Sequence, residues 1–122
     1  MKKFLVAVSA FTLLGISSAS AHTVLISSNP GKGSTVKVLP SKITLKFADP
    51  LLTLGKRAIN KVVVTAPDNS IVTVGNDQVK GATLTDSLLN TKAIKGKYKA
   101  SYRVSAEDGH IVTGSFTFTL QN

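Results

Sequence analysis

The feature that most constrains this chain is a strict two-residue alternation near its end. In "KYKASYRVSA", Tyr98, Ala100, Tyr102 and Val104 alternate with Lys97, Lys99, Ser101 and Arg103. In "HIVTGSFTFTL", Val112, Gly114, Phe116, Phe118 and Leu120 alternate with Thr113, Ser115, Thr117 and Thr119. A period of two puts one face in a core and the other in water, so these segments predict two half-buried antiparallel strands. "KITLKF" repeats the pattern with Ile43, Leu45 and Phe47 inward, and "INKVVVTA" and "SIVTV" are β-branched runs separated by the turn "PDN". "HTVLIS" opens this region, and "NPGKGSTVKVLPS" reads as an ordered loop. Residues 80–95, "KGATLTDSLLNTKAIK", carry the faintest pattern and predict a short strand plus a long connection. No segment after residue 21 has a helical period. About seven short strands at this spacing predict an all-β, Greek-key β-sandwich.

The first 21 residues read differently. Lys2 and Lys3, an apolar run from Phe4 to Ile16 and the small residues Ala19-Ser20-Ala21 have the form of a cleaved secretory signal. The run is shorter than the roughly 20 residues of a membrane span, and no second one follows, so a soluble, exported product is expected. Residues 22–122, about a hundred, suit a single domain. The sequence has no cysteine, which excludes thiolate chemistry and disulfides. Loss of Lys2 and Lys3 lowers the formal charge from +9 to +7, and the remaining cations are scattered from Lys32 to Arg103. With its few aromatics assigned to the core, the chain lacks the interleaved basic and stacking residues of a nucleic-acid site.

The chain has only two histidines, His22 and His110. Cleavage after Ala21 makes His22 the first residue of the mature protein, with a free amine beside its imidazole. Amine and Nδ1 can close a six-membered chelate on one ion. In "DGH", Asp108 and His110 are two apart, a spacing that on an extended backbone points both side chains the same way. Three nitrogens and one carboxylate oxygen suit a tetragonal Cu(II) site, with nickel and zinc as competitors. Each piece also has a plainer reading. Asp-Gly between alternating strands is a strong signal for a two-residue hairpin turn with positive φ at both central residues. His110 shares parity with Val112 and Phe116, which would make it a core histidine at a strand end, and His22 would simply start a strand. Those readings leave unexplained why both histidines fall where a sandwich can bring them together, one of them at the cleavage point.

"AHTVLISSNPGKGSTV", "LPSKITLKFADPL" and "YKASYRVSAEDGHIVTGSFTFTL" resemble the start, second strand and end of the periplasmic CopC-type copper-binding proteins. The shared features are a mature amino-terminal His, a Pro-x-x-Gly-Ser loop, an Ile-x-Leu-x-Phe strand followed by an acidic residue, and Asp-x-His shortly before Gly-x-x-x-Phe. The resemblance implies an immunoglobulin-like or cupredoxin-like sandwich that carries Cu(II) in the periplasm as a monomer. It implies His22, Asp108 and His110 as the ligands and a CopD-type inner-membrane partner in copper resistance or uptake. Asp49, after "KFA", matches a Glu that stands near the site in some relatives, although Asp49 also reads as a turn residue before Pro50. The chain departs from members with a methionine-rich Cu(I) site. The corresponding region is "LLTLGKRAINK", and the only methionine is Met1. Thioether sulfur suits the reduced ion, so a single Cu(II) site and a role in sequestration or delivery are expected.

Two other classes were weighed. A copper monooxygenase needs an open coordination position and a substrate platform, whereas this chain is short and lacks tryptophan. A metal-free immunoglobulin-like adhesive module would show no copper-dependent rise in melting temperature. Hydrolysis finds no support, since there is no Gly-x-Ser-x-Gly elbow and no nucleophile assigned beside Asp108 and His110. "GKGST" lacks the spacing of a phosphate-binding loop.

Overall fold

A computed structural model describes residues 23–121. Eight strands run in chain order among the described residues: β1 Leu25–Asn29, β2 Thr35–Val36, β3 Lys42–Phe47, β4 Lys61–Thr65, β5 Gln78–Lys80, β6 Thr83–Ser87, β7 Gly96–Ser105 and β8 Ile111–Leu120. They form two four-stranded sheets, ordered β1-β3-β6-β5 and β2-β8-β7-β4. All pairings are antiparallel except β2 with β8. The expected all-β sandwich is therefore observed, with one strand more than the sequence suggested. Two strands are additions, β5 and β2, the latter inside the "NPGKGSTVKVLPS" loop, while the expected strand at "SIVTV" is lost. Thr35 pairs with Thr119, and Gly33 N–H donates to the Thr117 carbonyl at 2.7 Å, so the loop crosses to the second sheet and is ordered by it.

The inner faces follow the alternation. Ile43, Leu45 and Phe47 of β3, Val62 and Val64 of β4, and Tyr98, Ala100 and Val104 of β7 are buried, while Lys97, Lys99, Ser101 and Arg103 are exposed. β7 and β8 pair over ten residues, from Gly96↔Leu120 to Ser105↔Ile111. Tyr98 stacks on Phe118 with ring centroids 5.4 Å apart. Its hydroxyl donates to the Ile94 carbonyl at 2.7 Å and accepts the Ile94 N–H at 3.1 Å, which lets a tyrosine lie fully inside the core. Burial raises the pKa of this phenol above its ordinary value. Tyr102 meets Phe47 edge-on at 5.4 Å and closes the sandwich between the sheets. It lies opposite Gly114, where any Cβ would run into its ring.

Two segments differ from the sequence reading. Residues 80–95 contain β6, which is hydrogen-bonded on both sides, by β3 and β5. Its inward face runs Leu84, Asp86, Leu88, and the central carboxylate masks the apolar pattern. Asp86 is 2% exposed and accepts N–H groups from Gly75 (3.0 Å), Asn76 (3.1 Å) and Ser87 (2.8 Å), so the buried charge is well satisfied. "SIVTV" forms no continuous strand. Its start pairs with β4 through Thr65↔Ile71, and its end pairs past β6 through Thr73↔Leu88. The run passes from one sheet to the other, so neither ladder extends along it.

Candidate metal centre at the β7–β8 hairpin

The β7–β8 turn is a three-residue loop, Glu107-Asp108-Gly109, and not the two-residue Asp-Gly turn expected from the sequence. Gly109 N–H donates to the Ala106 carbonyl at 2.9 Å, and Ala106 N–H donates to the His110 carbonyl at 3.0 Å. Gly109 has φ +87°, whereas Asp108 is not among the positive-φ residues. This matches a turn closed by a left-handed glycine bulge, one of the common ways to join two twisted strands. The consequence for the site is geometric. Asp108 and His110 converge through a turn and not along an extended strand.

They do converge. Asp108 Oδ1 accepts the His110 backbone N–H at 3.0 Å, and Asp108 Oδ2 lies 2.7 Å from His110 Nδ1. An ionised carboxylate can only accept, so in the neutral ring Nδ1 carries the proton and Nε2 the lone pair. A carboxylate on one imidazole nitrogen fixes the tautomer and ring orientation and makes the other nitrogen a better donor to a metal. The His110 side chain is 65% exposed and that of Asp108 37%, which rules out the core-histidine reading despite the shared parity with Val112.

The third expected ligand, His22, lies outside the described residues. Its neighbour Thr23 is described, and it is 0% exposed. Thr23 Oγ1 accepts the Asp49 N–H at 3.0 Å and lies 3.4 Å from the Asp49 carbonyl, while Ala48 N–H donates to the Val24 carbonyl at 2.8 Å. The segment that receives Thr23 is itself joined to the hairpin. Leu51 bridges Ala106, and Leu52 N–H donates to the Ser105 carbonyl at 2.9 Å. Buried Asn60 links the same two elements from its other end, with Nδ2 donating to the Leu52 carbonyl (2.7 Å) and Oδ1 accepting the Ser105 N–H (2.9 Å). Hydrogen bonds at the two ends of residues 49–52 thus tie Thr23 to the root of the hairpin that carries Asp108 and His110.

Thr23, Asn60 and Ser105 were not anticipated from the sequence, because short polar residues in β-rich segments carry no pattern of their own. Asp49 was singled out, and its place in this path is through backbone groups that meet Thr23. Among the described residues no group of three or more His, Asp or Glu side chains is gathered around one point. A separate cleft of about 520 Å³ lies between residues 53–60 and 75–79, bordered by Lys56, Arg57 and Asp77.

Comparison with known proteins bears on the whole of this frame. A family model described as the CopC domain matches residues 25–121, which takes in every strand and the hairpin turn. The chain belongs to the CopC family. The copper resistance protein C of Pseudomonas syringae pv. tomato is 35% identical over 109 residues, covering 84% of this chain and 83% of that protein. Two solved structures share the fold. CopC from Methylosinus trichosporium OB3b has a TM-score of 0.70 at 23% identity, covering 82% of this chain and 94% of that one. PcoC, a methionine-rich copper resistance protein from Escherichia coli, has a TM-score of 0.65 at 25% identity, covering 83% and 100%. This chain is not methionine-rich, since Met1 is its only methionine. Residues 51–61 contain no methionine.

Proposed function

We propose that this CopC-family chain is a periplasmic copper-resistance protein, exported by residues 1–21, whose mature domain of residues 22–122 binds one Cu(II) ion as cargo. The proposed ligands are the amine and Nδ1 of His22, the imidazole of His110 and a carboxylate oxygen of Asp108, with the ion taking the place of the proton between Asp108 Oδ2 and His110 Nδ1. The single observation that carries this reading is the contact between Asp108 and His110 Nδ1, which orients a solvent-facing imidazole at a hairpin hydrogen-bonded, through residues 49–52, to the residue that follows His22. The donor set is hard to borderline, with no sulfur, and favours Cu(II) over Cu(I). With no thioether to receive the reduced ion, the protein sequesters Cu(II) or passes it to a CopD-type inner-membrane partner. It acts as a monomer and performs no catalysis of its own. The nitrogen ligands bind only in their unprotonated forms, so affinity falls as the pH is lowered.

The test combines mass spectrometry of the exported protein with Cu(II) titration followed by paramagnetic resonance. Two chains are compared, one beginning at His22 and one with a single extra residue before it. Tight, nitrogen-rich binding by the first that collapses in the second is expected. Equal binding by both would remove the amine from the site. A second reading has one observation in its favour: the Asp108–His110 contact also ties down its own turn, as a purely structural cap would. Under that reading copper leaves the melting temperature unchanged, whereas a ligand bound only by the native state must raise it.

A further inference from the structure

Thr23 is unusual for its place in the chain. The first residues of a domain are ordinarily loose unless something ties them down, and a threonine there is ordinarily solvated. Here the side chain is wholly buried, and both polar groups of Asp49's backbone face its hydroxyl, the N–H at 3.0 Å and the carbonyl at 3.4 Å. The next link, Ala48 N–H to the Val24 carbonyl, continues the β1–β3 ladder by one more rung. Pro50 then turns the chain, Leu51 N–H reaches the Gly81 carbonyl at 3.0 Å, and Leu51 and Leu52 engage Ala106 and Ser105 at the root of the hairpin. Among the described residues no buried side-chain polar atom is left without a partner, so this joint is complete in the protein alone.

We infer that Thr23 is a positioning residue of the copper site: its hydroxyl fastens the entry of the mature chain to Asp49 and so sets where the His22 donors stand relative to His110. This rests on the Cu(II) reading proposed above. The physical reason is preorganisation. An amine–imidazole chelate forms by itself, but sharing the ion with a second histidine requires the two parts to be held in register. A loose terminus would have to be ordered at the moment of binding, and that cost lowers affinity. Removing contacts that orient ligands without touching the metal commonly weakens binding by about 10- to 100-fold.

The experiment uses full mature chains beginning at His22: wild type, Thr23→Val, Thr23→Ser, and a chain with one glycine inserted between His22 and Thr23. Cu(II) affinity is measured by competition with a chromophoric chelator, coordination by paramagnetic resonance, and integrity by thermal unfolding without metal. Valine keeps the buried volume but leaves the Asp49 N–H without an acceptor, and serine restores it. Expected are a loss of affinity of about 10- to 100-fold and a heterogeneous spectrum for Thr23→Val, with wild-type affinity and spectrum for Thr23→Ser. The insertion keeps Thr23 in place and shifts only the histidine, so it should bind as weakly as Thr23→Val while melting like the wild type. If the valine variant does not fold, Thr23→Ala, which also removes the hydroxyl, takes its place in the comparison with Thr23→Ser. Wild-type affinity and spectrum in a folded Thr23→Val would overturn the role of Thr23 and leave the copper site standing. If the wild-type chain itself bound no more tightly than one extended before His22, the copper reading would fall, and the positioning role with it.

Discussion

Two aspartates in this protein do the same elementary thing in opposite settings. Asp86 and Asp108 both use their carboxylates to collect N–H groups beside a turn. Asp86 is 2% exposed and gathers three backbone donors from residues 75, 76 and 87. Asp108 stands in solvent and gathers one backbone donor and one ring nitrogen, both from His110. The Asp86 carboxylate itself is shut away from water, so its charge depends on these contacts and their loss is costly. At the hairpin tip water can replace them, and little folding energy depends on Asp108. What the exposed pair retains is orientation of an imidazole. Under the proposed function, a carboxylate that matters little for stability stands where it would matter for binding.

Substitutions break this contrast in order of size. Asp86→Ala takes the buried acceptor from three part-buried N–H groups and should lower stability by about 2 to 4 kcal/mol in chemical denaturation, while any protein that remains folded keeps its affinity for Cu(II). A loss under about 1 kcal/mol would show that water or relaxation reaches the site. Asp108→Ala inverts the pattern. Unfolding should change by about 0.5 to 1 kcal/mol, whereas Cu(II) affinity should fall by about 10-fold or more, read by chelator competition. Unchanged affinity would return Asp108 to a purely structural cap.

The smallest expected effect concerns a third aspartate between these extremes. Asp77 accepts the Val62 N–H at 2.9 Å, and its pKa is raised, chiefly by burial, with the nearby Asp86 charge adding to the rise. A carboxyl raised on folding contributes stability that is present below its ordinary value and lost as the pH climbs through the raised one. Asp77→Asn keeps an acceptor for Val62 and removes the titration. The stability of wild type relative to this variant should therefore decline slightly as pH rises through the acid range, measured by denaturation at a series of pH values. A difference that stayed flat, or grew with pH, would contradict the direction of the shift.

Legibility from sequence followed the same division between burial and exposure. The inward residues of β3, β7 and β8 could be read one by one, because alternation survives wherever a strand has one wet face. It failed at β6, where a carboxylate occupies a core position, and at "SIVTV", where the chain changes sheets half-way along. The Asp-Gly signal correctly located the hairpin but not its length. Asp-Gly is compatible with a two-residue turn or with a glycine bulge, and nearby backbone geometry decides between them. At the candidate site, the residue types and spacing of Asp108 and His110 were visible, and their contact is observed. The parity of His110 with the core residues of β8 was misleading, because the strand's inner face runs out before residue 110 reaches the core. Thr23, Asn60 and Ser105 had no sequence signal, since their roles come from neighbours far apart in the chain.

The ten-residue register of β7 and β8 has a practical consequence for handling the protein. At about 3.3 Å per residue, Leu120 lies roughly 30 Å along the sandwich from Ile111 and the turn beyond it. Thr23 joins the turn end, while Leu120 pairs with Gly96 and Val36 at the other. A purification handle, fluorophore or surface tether fused after Gln121 would point away from the hairpin and leave it open. The same addition ahead of Thr23 would begin at the turn end.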